Sequence, residues 1–75
     1  VLVVARDGEV VFVEVKARAS GWYGSPALAV GAAKQRRIRI LAMRWLAEHP
    51  GHRGVLRFDV VAITGTEVEV IEGAF

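Results

Sequence analysis

The sequence contains no cysteine, no apolar run of membrane-spanning length and no glycine-rich phosphate loop. Without cysteine the chain can form neither a disulfide framework nor a thiolate metal site, which fits a reducing compartment. A membrane helix needs roughly 18 consecutive apolar residues and a signal peptide has its own charge pattern, and neither is present. We therefore expect a cytoplasmic protein that binds no membrane and no nucleotide cofactor.

Length and composition describe one small domain with a large share of apolar residues. At 75 residues, of which 53% are apolar, the chain lies near the lower size limit for a self-sufficient core. So high an apolar share in a short chain predicts surface that pairs with a second copy or with a segment outside the chain. Val1 already has the character of a residue within a strand. We therefore interpret residues 1–75 as a single domain that is incomplete at its N terminus.

Charge is unevenly distributed, although the formal net charge is only +2. Five basic and no acidic residues lie between Lys34 and Arg44, whereas the last nine residues hold three acids and no base. Segregation of this kind predicts a polyanionic partner for the basic part, and DNA is the partner that we expect. The alternative is that the basic residues are only a solvated face.

The first part of the chain predicts a hairpin. Residues 1–5 form a continuous apolar run, Asp7-Gly8 is a strong two-residue turn signal, and residues 10–16 are rich in β-branched side chains. We predict strands over residues 1–6 and 9–17.

The middle of the chain predicts one long helix over residues 32–49. Its core-facing stripe, at i, i+3, i+4 and i+7, comprises Ile38, Leu41, Ala42 and Trp45. Extending the stripe backwards reaches Lys34 and Gln35. A second apolar patch, off the stripe and a candidate contact for a missing helix or a dimer mate, comprises Ile40, Met43 and Ala47.

The last part of the chain predicts strands over residues 55–63 and 67–71, after a loop that holds His49 and His52. Asp59 lies on the strand face opposite Phe58, where we expect it to pair with Arg57 or Arg18. The element order is β-β-α-β-β. The sequence therefore predicts an α/β domain with a mixed sheet and one long covering helix.

Glu14 and Lys16 are the strongest functional signal. Side chains alternate along a strand, so both charges point to one face of an apolar strand. Glu14 and the main-chain carbonyl of Val15 are hard oxygen ligands suited to Mg²⁺ or Mn²⁺, and Lys16 could neutralise charge on a phosphoryl transition state. The alternative is a structural ion pair at the end of a strand.

Four ordered blocks of the sequence resemble one protein family. They are residues 11–16, 24–27, 33–37 and 57–63, which read VFVEVK, GSPA, AKQRR and RFDVVAI. In this order they resemble the YraN family of bacterial proteins, and Glu14-Val15-Lys16 resembles the E-x-K half of the PD-(D/E)xK motif. That family is placed in the restriction-endonuclease-like superfamily, near the Holliday junction resolvases.

The resemblance implies a divalent-metal-dependent DNA endonuclease-like domain that acts on structured or duplex DNA. We also expect a homodimer. It implies catalytic roles for Glu14, Lys16 and Gln35, with Glu14 and Val15 as metal ligands. The residues expected to contact nucleic acid are Arg18, Lys34, Arg36, Arg37 and Arg39. Trp22 and Tyr23 could stack on an exposed base, or cap the core.

The chain departs from the family pattern at one position. Family members carry a G-E-x-D segment whose Asp is the second metal ligand, and counting along this chain places that Asp at Val1 or Leu2. Both residues are apolar, so the acid lies upstream of Val1 or is lost. If it is lost, the alternatives are a non-catalytic nucleic-acid-binding module and a dimeric interaction domain.

Overall fold

The computed structural model describes residues 1–6, 8–18, 30–52 and 54–75. Within these ranges the chain forms strands β1 (Leu2–Arg6), β2 (Glu9–Ala17), β3 (Val55–Thr64) and β4 (Glu67–Ile71), with helix α1 (Ala32–Glu48) between β2 and β3. The predicted α/β class and element order are confirmed. Trp22 and Tyr23 lie outside the described residues, so the two hypotheses about them stay open. In the part that is described, no helix has the length and apolar character needed to cross a membrane.

The predicted hairpin between β1 and β2 is confirmed. The strands are antiparallel, and Arg6 lies opposite Glu9, which leaves a two-residue connection. Gly8, the second residue of that connection, has a φ of 75°, in the left-handed region that glycine adopts without steric cost.

The sheet has the strand order β1-β2-β3-β4, so β2 and β3 are its interior strands. β2 and β3 are parallel over nine pairs, from Glu9 opposite Val55 to Ala17 opposite Ile63. Because parallel neighbours need a crossover connection, α1 has to pass across the sheet between them. β3 and β4 then close the sheet as an antiparallel pair.

The core lies between α1 and one face of the sheet, which we call the helix face. Phe12 of β2 stacks on Phe58 of β3 at 5.6 Å between ring centroids, and the edge of Trp45 meets Phe12 at 6.0 Å. The buried residues of this core are Val10, Phe12, Val30, Ile38, Ala42, Phe58 and Val60.

The predicted helix stripe is confirmed with one correction. Ile38 and Ala42 are fully buried, whereas Leu41 is 49% exposed. Successive residues of a helix are rotated by about 100°, so Leu41 lies at the edge of the stripe. This edge faces β1. Ile40 and Met43 are each 55% exposed, as their positions off the stripe predict.

Helix α1 ends one residue before the predicted end, because His49 caps it. The His49 N–H donates to the carbonyl of Leu46, and its Nδ1 lies 2.7 Å from the carbonyl oxygen of Trp45. The His49 ring also stacks on Trp45 at 4.1 Å. His49 and His52 lie between α1 and β3, in the connection where the sequence predicts them.

The face of the sheet opposite α1, which we call the open face, exposes apolar side chains. They are Leu2, Val4, Val15, Val68 and Val70, each between 43% and 60% exposed. Successive side chains of a strand point to opposite faces of the sheet. These residues therefore point away from α1, and their neighbours in sequence point to the helix face.

One end of the open face holds a dense ion-pair cluster around Arg57. Arg57 donates to both carboxylate oxygens of Asp59, at 2.9 and 3.0 Å, and to Glu9 at 2.6 Å. The N–H of Gly73 donates to the same Asp59, which is 4% exposed. The predicted pairing of Asp59 with Arg57 is therefore confirmed.

The partners of Asp59 change the pKa of its carboxyl. Burial by itself raises that pKa, but the hydrogen bonds from Arg57 and from the Gly73 N–H outweigh burial and hold it below its ordinary value of 3.8. A carboxyl whose pKa is depressed by folding stabilises the fold above its unfolded pKa, and this stability is lost as the pH falls through the folded pKa.

We predict that Asp59→Asn lowers the free energy of unfolding by about 1–3 kcal/mol near neutral pH, because Arg57 loses its charged partner. The difference from wild type should begin to shrink as the pH falls below about 4, where the unfolded carboxyl takes up a proton, and should keep shrinking towards the lower folded pKa. Urea unfolding at several pH values measures both effects. Glu72→Gln, at an exposed carboxylate 3.2 Å from Arg57, is the matched control and should change little. A pH-independent difference would contradict the assignment.

Candidate functional site

Glu14 is a buried carboxylate on an interior strand. It follows Val10 and Phe12 on the helix face of β2, lies opposite Val60 of β3, and is 7% exposed. The apolar alternation of the strand forces this placement, because a residue two positions after Phe12 must share its face. Burying a carboxylate is costly unless other groups compensate its charge.

The compensating charge comes from the helix. The Nζ of Lys34 lies 3.0 Å from Oε1 of Glu14, and the Lys34 side chain is 38% exposed. Lys34, Ile38 and Ala42 follow one another at i, i+4 and i+8, so the lysine extends the buried row of α1 to its first turn. The partner of Glu14 is therefore Lys34, one of the two residues that the helical spacing places at the start of the stripe.

The second oxygen of Glu14 is not compensated. Oε2 is buried, and none of the described residues donates a hydrogen bond to it. An ionised carboxylate offers about four acceptor positions on two oxygens, and among the described residues only one of the two oxygens has a partner. A buried acceptor without a donor marks a place where a cation or a donor from a bound molecule would be stabilising.

Lys16 lies on the same face of β2, two residues beyond Glu14, and is exposed. In the described structure it forms no ion pair, so its ammonium is available to an anion. The pairing of β1 with β2 reaches only Val13. Glu14, Val15 and Lys16 therefore lie just past the described β1–β2 pairing and are paired with β3.

Gln35 is directed to the start of its own helix. Its Nε2 donates to the carbonyl of Val30 at 3.0 Å, and its backbone N–H donates to Gly31 at 2.9 Å. At the helix N terminus the structure thus brings Lys34, and not Gln35, to Glu14.

Two of the basic residues that we expected at nucleic acid have partners within the fold. Arg18 donates to Thr64 at 2.6 Å and to Glu69 at 2.8 Å, which ties the end of β2 to the last hairpin. The guanidinium of Arg39 lies over the rings of Phe58 and Phe75, at 4.8 and 5.5 Å from their centroids.

Three other basic residues of α1 are free of such contacts. Arg36, Arg37 and Arg44 are exposed, and none of them forms an ion pair within the described ranges. They give the exposed surface of α1 a positive character, which favours a polyanion.

The donor set around Glu14 suits only one kind of metal site. Continuing the hairpin register by one residue from the Leu2–Val13 pair places Val1 opposite Glu14, so the residue at this position is apolar. The oxygen ligands available in this part of the chain are Oε2 of Glu14 and main-chain carbonyl oxygens. Mg²⁺ and similar cations bind such sparse oxygen sets when water and a substrate phosphate complete the coordination. The residues fit a weakly held cation of that type.

Comparison with known proteins identifies a family. The model of the family described as Uncharacterised protein family UPF0102 matches residues 2–63. A UPF0102 protein of Geobacter metallireducens is 49% identical over 78 residues, which covers 97% of this chain and 64% of that protein. A UPF0102 protein of Frankia casuarinae is 53% identical, with 96% of this chain and 66% of the relative covered.

The YraN name also occurs among the relatives. The UPF0102 protein YraN of Escherichia fergusonii is 47% identical over 75 residues, which covers 96% of this chain and 57% of that protein. The resemblance drawn from the four sequence blocks is thereby confirmed. The chain spans between 57% and 66% of the length of these three relatives.

We predict that Lys34→Ala lowers the free energy of unfolding by about 1–3 kcal/mol, because both oxygens of a buried Glu14 are then without donors. In a Glu14→Ala background the same change should cost less than about 0.5 kcal/mol. A double-mutant cycle with urea unfolding measures the coupling between the two residues. Arg36→Ala, at an exposed position of the same helix, controls for helix propensity. A coupling near zero would contradict the ion pair.

Proposed function

The chain belongs to the uncharacterised protein family UPF0102, and from that premise we propose that it is a divalent-metal-dependent nuclease domain that hydrolyses phosphodiester bonds in DNA. The observation that carries the proposal is the state of Glu14. It is buried, fixed at Oε1 by Lys34, and uncompensated at Oε2. A structural ion pair has no need of an oxygen that, among the described residues, has no donor and lies on the same strand face as a lysine without an ion pair.

The cation that suits this oxygen set is Mg²⁺ or Mn²⁺, held by Oε2 of Glu14 with the main-chain carbonyl of Val15. When bound, such a cation supplies Lewis-acid polarisation of the phosphate and an acidified water.

Lys34 and Lys16 have the other roles in the proposed reaction. Lys34 holds Oε1 and so fixes the direction in which Oε2 points. Lys16, exposed on the same face, donates to a non-bridging phosphate oxygen and neutralises the charge that develops there as the phosphorus–oxygen bond breaks. The sheet supports both residues, because β2 is an interior strand whose neighbours hold it rigidly in register.

DNA reaches this site through positive surface charge. Arg36 and Arg37 on α1 are exposed and unpaired in the described structure, and their contacts would be with phosphates. Phosphate contacts give affinity without sequence specificity.

The test is cleavage of branched and duplex DNA by the purified chain with Mg²⁺ or Mn²⁺, against EDTA. We expect metal-dependent cutting that falls about a hundredfold or more in Glu14→Gln and in Lys16→Ala. Glu67→Gln, an exposed carboxylate on β4, is the matched control and should cut like wild type. Absence of cutting, or equal cutting by Glu14→Gln, would overturn the proposal.

The apolar Val1 opposite Glu14 favours a second candidate, a nucleic-acid-binding module without catalysis. Such a module binds DNA equally well in EDTA. Its affinity should fall steeply with salt, and the double variant Arg36→Ala/Arg37→Ala should bind more weakly with a smaller salt slope. Fluorescence anisotropy with a labelled duplex measures both quantities, and a metal requirement for binding would exclude this candidate.

A further inference from the structure

A crevice of about 250 Å³ opens between α1 and β1 on the helix face of the sheet. Its walls are apolar and partly aromatic, formed mainly by Val3, Phe12, Leu41 and Trp45. The charged side chains of Arg44 and Glu48 stand at its rim. This combination of aromatic wall, positive donor and carboxylate acceptor is the chemistry that receives a nucleobase.

The basic residues of α1 divide into two groups around the helix. At about 100° per residue, Arg37 and Arg44 share the flank of Leu41 that borders the crevice, because Arg37 precedes Leu41 by one turn and Arg44 follows it by three residues. Arg36 points away from the sheet, and Arg39 lies on the other flank, over Phe75. The flank that borders the crevice is therefore the one that carries Arg37 and Arg44.

The crevice adjoins the Glu14 site. Phe12, in its wall, precedes Glu14 by two residues on the same face of β2, a separation of about 7 Å. Val1 also lines the crevice and lies opposite Glu14 when the hairpin register is continued. A nucleic-acid strand with a phosphate at Glu14 therefore passes the mouth of the crevice.

We propose that the crevice receives an unstacked nucleobase of a bound DNA strand, with Arg37 and Arg44 contacting the phosphates beside it. The inference rests on the proposed function and narrows its substrate class to DNA with an unpaired nucleotide next to the site. A base inside an intact duplex cannot enter, because it must first leave its stack and its pair. The walls contact the face of the base, while Arg44 donates to its edge and Glu48 accepts from its amino groups.

The test is binding in EDTA, so that it does not depend on catalysis. Fluorescence anisotropy compares three labelled ligands of about 12 nucleotides: a thymidine strand, a strand of the same length without bases, and a blunt duplex. We expect the thymidine strand to bind about tenfold more tightly than the abasic strand, and more tightly than the duplex.

Matched variants assign the preference to the crevice. Leu41→Ala should weaken binding of the thymidine strand about threefold to tenfold and leave the abasic strand unchanged, whereas Ile40→Ala on the far side of α1 should change neither. Arg44→Ala should weaken both strands, because it removes a phosphate contact that does not depend on the base. Leu41 and Ile40 are about half exposed, so we expect both variants to fold.

Equal binding of the thymidine and abasic strands, or equal effects of Leu41→Ala and Ile40→Ala, would overturn the proposal. Self-association that Leu41→Ala abolishes and Ile40→Ala retains would assign the crevice to a second copy and overturn it as well. Different results would overturn the crevice proposal and the nuclease proposal. A base preference without cleavage supports the crevice and ends the nuclease assignment, and cleavage without a base preference does the reverse.

Discussion

The burial of one carboxylate on the covered face of an interior strand is the constraint on which this account depends. Glu14 is buried because β2 is apolar, alternates, and runs parallel beside β3 beneath a crossover helix. Such a position tolerates a charge only with compensation. Lys34 supplies it for one oxygen alone, and the crossover that the parallel pair demands is what brings Lys34 to the strand. The same crossover connection therefore forms the core and brings Lys34 to Glu14.

The part of the domain that the structure describes contains two buried acids with opposite environments. Asp59 receives two hydrogen bonds from Arg57 and one from the Gly73 N–H, so both of its oxygens are used. Glu14 keeps an oxygen that no described residue serves. A fully satisfied network stabilises a fold, whereas a half-satisfied one costs stability unless something binds there. This contrast is the physical reason why we propose Glu14, and not Asp59, for the functional site.

Most of the fold followed from local patterns, and most of the site did not. The hairpin, the helix and the last two strands were predictable from alternation, turn residues and the helical period. The parallel pairing of β2 with β3 was not, because it joins residues more than forty positions apart. The choice of Lys34 over Gln35 as the partner of Glu14 depends on how the helix lies on the sheet, and periodicity alone places both on the same stripe.

The most direct measurement of the central claim is Mn²⁺ binding, followed by electron paramagnetic resonance, with and without a phosphorothioate oligonucleotide that resists hydrolysis. The account predicts weak Mn²⁺ binding by the protein alone, tighter binding when the oligonucleotide is present, and loss of that gain in Glu14→Gln with Glu67→Gln unaffected. Equal Mn²⁺ affinity in wild type and Glu14→Gln would contradict it.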